Sequence, residues 1–298
     1  MIAFSPDTLS ATAQTHLATC QAEVDAATVI SRENGYQKAE ELWRNRKNRL
    51  VNQPIWAEIE EKLANGHPSK GLCQYCEHDR TAPTEHVFPK KHYPNRAFQW
   101  ANYLKICTKC NTNKGDNFAV FYPSGSTTQH DLPTTRGTYP APPNDDAVLI
   151  QPRLENPQDL MLLDLTTGIF LPNFGTNARG KAKAKYTIEV LHLNTDDVLL
   201  RHRTKAYFHY ADKLETYSKI KIALDFNGLL ANLPTSKHVI VKQNEDFDNE
   251  KTRLLTVFEN DIKDDLFPTV WAEMKAQRAF FPHLNVYFEQ NPETLTWA

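Results

Sequence analysis

The stretch CQYCEHDRTAPTEHVFPKKHYPNRAFQWANYLKICTKCNTNKGD, Cys73–Asp116, carries four of the chain's five cysteines. They form two hooks of equal spacing, Cys73-x2-Cys76 and Cys107-x2-Cys110. Two residues between cysteines let both thiolates turn onto one ion while the N–H groups of the knuckle face the sulfurs. Two such hooks complete a tetrahedral shell of four thiolates, the closed arrangement of structural zinc. The pattern therefore predicts a Zn²⁺ site that clamps the ends of an insert, Glu77–Ile106, longer than that of the simplest zinc ribbons. A closed shell contributes folding energy and leaves any chemistry to other groups. Cys20 lies outside the pattern and reads as a free thiol.

Inside the clamp, Glu85-His86 precedes Val87-Phe88, a strand end stopped by Pro89. Tyr103–Ile106 reads as a second short strand. The turn through Cys107–Cys110 then leads into a short helix bearing Asn111 and Lys114. A carboxylate beside a histidine offers an oxygen ligand for a hard cation and a base that titrates near neutrality. From Arg80 to Lys114 the basic residues are Arg80, Lys90, Lys91, Arg96, Lys105, Lys109 and Lys114, against the single acid Glu85. That bias predicts a local phosphate-binding face, with Lys90, Lys91 and Lys114 nearest the centre. Tyr93, Phe98 and Trp100 offer stacking surfaces, but a small insert has little other core, and Phe98 and Trp100 are expected to pack it. His78 and His92 stand as secondary candidates for a ligand or phosphate contact.

The ordered set Glu85-His86, Asn102, Cys107-x2-Cys110-Asn111 and Lys114-Gly115-Asp116 resembles the HNH, or ββα-metal, endonuclease family over about residues 71–118. Two positions depart from the commonest form: Glu85 stands where Asp is usual, and Asn111 where His is usual. The resemblance implies an α+β fold, mostly helical, around a zinc-clamped ββα-metal core. It implies that His86 is the general base, that Glu85 and Asn111 hold a catalytic Mg²⁺ or Mn²⁺, and that Asn102 fixes the loop carrying His86. Oxygen ligands without thiolate suit those ions. Hydrolysis of nucleic-acid phosphodiesters is the implied activity, with DNA favoured over RNA such as tRNA. A zinc module that binds nucleic acid or protein without cutting is the alternative.

More loosely, LIQPRLENPQDLMLLDLTTGIFLPN, YTIEVLHLN and VWAEMKAQ are similar to the flanks of HNH proteins in bacterial antiphage defence, including the Septu and retron-associated nucleases. That likeness implies an ATPase partner. The aromatic-rich helices between 197 and 297 would be its docking candidate, although residue by residue they read as core.

Composition limits the classes. The chain has 298 residues, 40% of them hydrophobic, enough for a real core in one large or two ordinary domains. A formal net charge of −2 excludes a uniformly basic nucleic-acid binder. No apolar run approaches the ~18–20 residues of a membrane span, and the first residues lack a basic segment followed by an apolar block. A cytoplasmic protein with reduced thiols is expected.

Four segments follow: a helical N-terminal part, 1–68; the nuclease core, 69–122; a Pro/Ser/Thr/Gly-rich loop, 123–147; and a mainly helical region with short strands, 148–298. Within them, the pattern predicts helix over about 22–66, weak at Gly35 and restarting at Pro54. It predicts a strand in AVLIQP, a hairpin turning at Thr166–Gly168, and a long helix from Asp197 with Leu200, Tyr207, Tyr210, Leu214 and Tyr217 on its core face.

Overall fold

Serines set the starts of the first two helices. The computed structural model describes residues 1–68, 71–78, 83–233 and 240–297. Helix α1 (Ala11–Ile30) begins where Ser10 Oγ accepts the Ala13 N–H at 3.2 Å, and α2 (Arg32–Arg44) where Ser31 Oγ accepts the Asn34 N–H at 3.0 Å. Helix α3 (Gln53–Asn65) carries Pro54 in its first turn, where a missing N–H costs nothing. The break expected at Gly35 falls at Ser31 instead. Gly35 sits inside α2, where a Cβ would lie 2.0 Å from Thr28 Oγ1, so glycine there lets α1 and α2 approach.

The apolar faces of these helices meet in one core. Leu17 and Val24 of α1, Trp43 of α2 and Trp56, Ile59 and Leu63 of α3 pack with Phe98 and Tyr103 from the Cys-rich block. The N-terminal helices therefore share a core with that block and are not a separate lead-in.

Next come β1 (Thr84–His86) and β2 (Tyr103–Lys105), antiparallel in the register Thr84↔Lys105, Glu85↔Leu104, His86↔Tyr103. Helix α4 (Thr108–Lys114) follows directly. The following segment is less irregular than its composition predicts: β3 (Ala119–Phe121) pairs antiparallel with β4 (Gln129–Asp131) inside the expected loop. AVLIQP makes only one bridge, Val120↔Ala147, and then buries Val148, Leu149 and Ile150 without a ladder. After α5 (Pro157–Leu160), β5 (Met161–Leu163) and β6 (Phe170–Pro172) form the expected hairpin, with Gly168 at φ +74° in its turn. Helix α6 (Ala178–Val190) is N-capped by Asn177.

The chain divides into two compact units, Met1–Leu162 with Phe170–Asp196, and Leu163–Ile169 with Asp197–Ala298. This division differs from the four expected segments, because most of 148–196 belongs to the first unit. Ile150 N–H donates to Thr187 Oγ1 at 2.9 Å, and the Arg153 guanidinium donates to Tyr103 O at 2.9 Å while lying over Trp100 at 4.4 Å. The second unit is built on α7 (Asp197–Ile222), which buries Tyr207, Tyr210, Leu214 and Tyr217 as its pattern predicts, while Leu200 is only half-buried. Helices α8 (Phe226–Asn232), α9 (Phe247–Lys263), α10 (Pro268–Gln277) and α11 (Pro282–Gln290) complete it. The fold is α+β and mostly helical, with three two-stranded sheets among the described residues. None of the described helices is long and apolar enough to cross a membrane.

Candidate metal centre and adjoining polar pocket

The two cysteine hooks converge. The sulfurs of Cys73, Cys76, Cys107 and Cys110 all lie within 4.8 Å of one another, and all four residues are buried. The Cys76 and Cys107 sulfurs are 3.7 Å apart. That is far beyond the ~2.05 Å of a disulfide. It matches the ~3.8 Å edge of a tetrahedron with Zn–S bonds of ~2.3 Å. Backbone N–H groups face the sulfurs as the knuckle requires: Cys76 N–H to Cys73 Sγ at 3.5 Å, and Cys110 N–H to Cys107 Sγ at 3.4 Å. These four residues could hold a metal ion such as zinc.

Gln74 ties the first hook to its surroundings. Its backbone N–H donates to Lys105 O at 2.8 Å, its Oε1 accepts the Lys105 N–H at 2.8 Å, and its Nε2 donates to Leu63 O at 2.7 Å. The clamp is thereby fastened to both β2 and α3.

Beside the clamp lies a polar pocket of about 220 Å³ lined by Glu85, His86, Lys90, Lys91, Asn111 and Lys114, together with Tyr36, Glu40, Pro89, Gly115 and Asp116. Strand β1 supplies Glu85 and His86, and α4 supplies Asn111 and Lys114. His86 is only 5% exposed, with its ring against Trp43 (centroids 4.2 Å) and Tyr103 (5.3 Å). Its Nε2 lies 2.8 Å from Ala97 O. A carbonyl only accepts, so Nε2 carries the proton and Nδ1 keeps its lone pair. Burial, reinforced by Lys90, holds the imidazole pKa well below its usual value, so His86 is neutral at pH 7.

Burial raises the Glu85 carboxyl pKa, while Lys90, Lys114 and Arg46 oppose the rise. Lys114 is 3% exposed, and burial brings its pKa down to about 8 against the pull of Glu85 and Asp116. A carboxylate, an amide oxygen and room for water at one pocket suit a hard divalent cation.

Asn102 does not line the pocket. It is buried beneath it: Oδ1 accepts the Phe88 N–H at 2.7 Å, and Nδ2 donates to Arg96 O at 2.9 Å and Phe88 O at 3.2 Å. These bonds tie Asn102 to Phe88, in the segment that follows His86. His78 and His92 do not line the pocket either. His92 is buried with neither ring nitrogen hydrogen-bonded, and burial lowers its pKa to about 4.

The chain is similar to the Septu protein PtuB of Bacillus thuringiensis. The two are 27% identical over 155 residues, which cover 50% of this chain and 47% of PtuB. The chain thus spans about half the length of the curated relative it matches. No protein-family model matches, and no solved structure does.

The expected basic face is narrower than its count of residues suggests. Arg96 pairs with Asp145, and Lys109 with Asp196 at 2.6 Å, so both are tied to carboxylates. Arg80 lies outside the described residues. Lys91 Nζ donates to Thr135 O at 2.8 Å. Tyr93 and Phe98 are buried, and Trp100 is half-buried beneath Arg153, so all three pack the insert.

Two lining residues, Tyr36 and Glu40, lie outside the motif. Tyr36 and Glu40 sit on α2 with Trp43, at the i, i+4, i+7 spacing of one helix face. A carboxylate within an otherwise aromatic, core-facing stripe is the signal that could have marked them.

Proposed function

We propose that this chain is a metal-dependent HNH endonuclease, the nuclease effector of a bacterial antiphage defence system. One observation carries the reading: a single pocket gathers Glu85, His86 and Asn111 with Lys90, Lys91 and Lys114, beside a four-cysteine clamp. The likeness to a Septu protein supports the defence setting. Zinc in the cysteine shell would be structural.

Glu85 and Asn111 would hold Mg²⁺ or Mn²⁺, which when bound supplies Lewis-acid charge at the scissile phosphate and the leaving 3′ oxygen. This chain's residues do the rest. His86 Nδ1 takes the proton of the attacking water, and Ala97 O keeps hold of Nε2–H as charge develops on the ring. Lys90, Lys91 and Lys114 balance the phosphate charge. Asn102 keeps the His86 segment in place. As the water oxygen bonds to phosphorus the P–O3′ bond breaks, and the leaving 3′ oxygen takes a proton from solvent, which gives 5′-phosphate and 3′-hydroxyl ends. DNA is the first substrate, RNA the second, and an ATPase the protein partner.

Purified protein incubated with plasmid, single-stranded DNA and tRNA, in Mg²⁺, Mn²⁺ or EDTA, tests the reading. Metal-dependent scission that EDTA stops is expected. A zinc-loaded, folded protein that binds these substrates and cuts none, with or without an ATPase partner, would be a binding module instead.

A further inference from the structure

Helix α2 lies outside the Cys73–Asp116 stretch, yet it forms one wall of the pocket through Tyr36 and Glu40. Lys90 has three partners there. Its Nζ is 3.1 Å from Glu40 Oε1, 3.5 Å from His86 Nδ1 and 5.3 Å from the centre of the Trp43 ring. Glu40 and Trp43 come from α2, and His86 from β1.

The ion pair is not a solvent-exposed one: the Lys90 side chain is 13% exposed and that of Glu40 32%. Partial burial reduces its screening by salt. A free lysine side chain samples many rotamers, and ordering one costs entropy. Here an anion and an aromatic face fix the ammonium at one place. That place adjoins the nitrogen that has a lone pair to offer.

We infer that Glu40 is a positioning residue of the active site: it holds the Lys90 ammonium beside His86 Nδ1, where Lys90 meets a non-bridging oxygen of the scissile phosphodiester. The inference rests on the nuclease reading above. It makes the N-terminal helices part of the catalytic unit, since a core-bound helix sets the position of a substrate-binding cation. It also separates the roles of two nearby carboxylates. Glu40 is committed to Lys90, whereas Glu85 makes no ion pair within 4 Å among the described residues and is left for the metal.

The test compares cleavage of supercoiled plasmid by the full chain, its Glu40→Ala, Glu40→Gln and Lys90→Met variants, and the Glu40→Ala/Lys90→Met double variant, across a Mn²⁺ titration. Losing one partner of a charge-assisted pair should lower kcat/KM about tenfold in Glu40→Ala and in Lys90→Met. The double variant should be no slower than Lys90→Met. Glu40→Gln, which keeps the shape and an oxygen acceptor, should lose less than Glu40→Ala and serves as the measurement if Glu40→Ala does not fold. The Mn²⁺ concentration for half-maximal rate should be the same in all, as should zinc content.

Wild-type rates in both Glu40 variants, or losses that multiply in the double variant, would overturn the inference. A higher Mn²⁺ requirement in the Glu40 variants would overturn it too, by making Glu40 a metal ligand. A folded, zinc-loaded wild type that cuts nothing would instead overturn the nuclease reading, and this inference with it.

Discussion

Asn102→Ala removes the side chain that joins the entry of β2 to the segment bearing Lys90. Asn102 is 2% exposed and makes three side-chain hydrogen bonds, to Phe88 N–H, Phe88 O and Arg96 O. Each is worth about 1 kcal/mol, and the Phe88 N–H left unpaired in a buried setting adds to the loss, so the total is about 3–4 kcal/mol. The main-chain bond from Val87 N–H to Asn102 O, 2.9 Å, survives the change, so the damage should stay local. Hydrogen exchange read by mass spectrometry over residues 86–91 is the assay. A loss of about 3 kcal/mol corresponds to roughly 10²-fold faster exchange of the Phe88 amide, while the α1–α3 peptides change far less. Plasmid cleavage should fall with it, because His86 and Lys90 flank the loosened turn. If residues 86–91 exchange within threefold of wild type and stability moves by less than about 0.5 kcal/mol, Asn102 does not hold this segment and its assigned role is wrong.

Three further outcomes follow from the same geometry. Metal analysis should find about one zinc per chain, and Cys110→Ser should lose it and unfold the Cys-rich block, as seen by exchange over residues 103–114. Gly35→Ala places a Cβ 2.0 Å from Thr28 Oγ1 and 2.9 Å from Thr28 Cβ, so it should destabilise the first unit by about 1–3 kcal/mol in urea titration. His92 has a folded pKa of about 4, below the ordinary histidine value of 6.5, so the unfolded chain binds the proton first as pH falls. Stability should therefore drop between about pH 6.5 and pH 4 by up to ~3 kcal/mol, and His92→Gln should flatten that part of the urea-midpoint profile.

The parts of this molecule that were legible in the sequence are those written in local spacing. The two Cys-x2-Cys hooks do converge, and the strand–strand–helix order of β1, β2 and α4 follows from residues close in the chain. The stripe of α7 was readable because its tyrosines recur at helical spacing. What was not legible arises from tertiary packing. Glu40 and Tyr36 reach the pocket because Trp43 and Ala39 bury α2 against the core, a fact that no motif encodes. Strand β4, Gln129–Asp131, is exposed and polar throughout, so nothing in its composition separates it from the surrounding loop. Gly35 looked like a helix breaker because its value lies in contact with another helix. The basic window overstated the unpaired positive charge, because a count of charges does not show which ones, such as Lys90, Lys109 and Arg96, already face a carboxylate.

The central claim is that His86, held neutral and oriented by Ala97 O, activates water for phosphodiester cleavage. It is tested most directly by comparing single-turnover plasmid cleavage in Mg²⁺ by wild type and His86→Ala, with zinc content and unfolding midpoint measured on both. The account predicts that the variant keeps its zinc and its fold but cuts about 10²–10⁴-fold more slowly. A folded His86→Ala protein that cuts at the wild-type rate would contradict it.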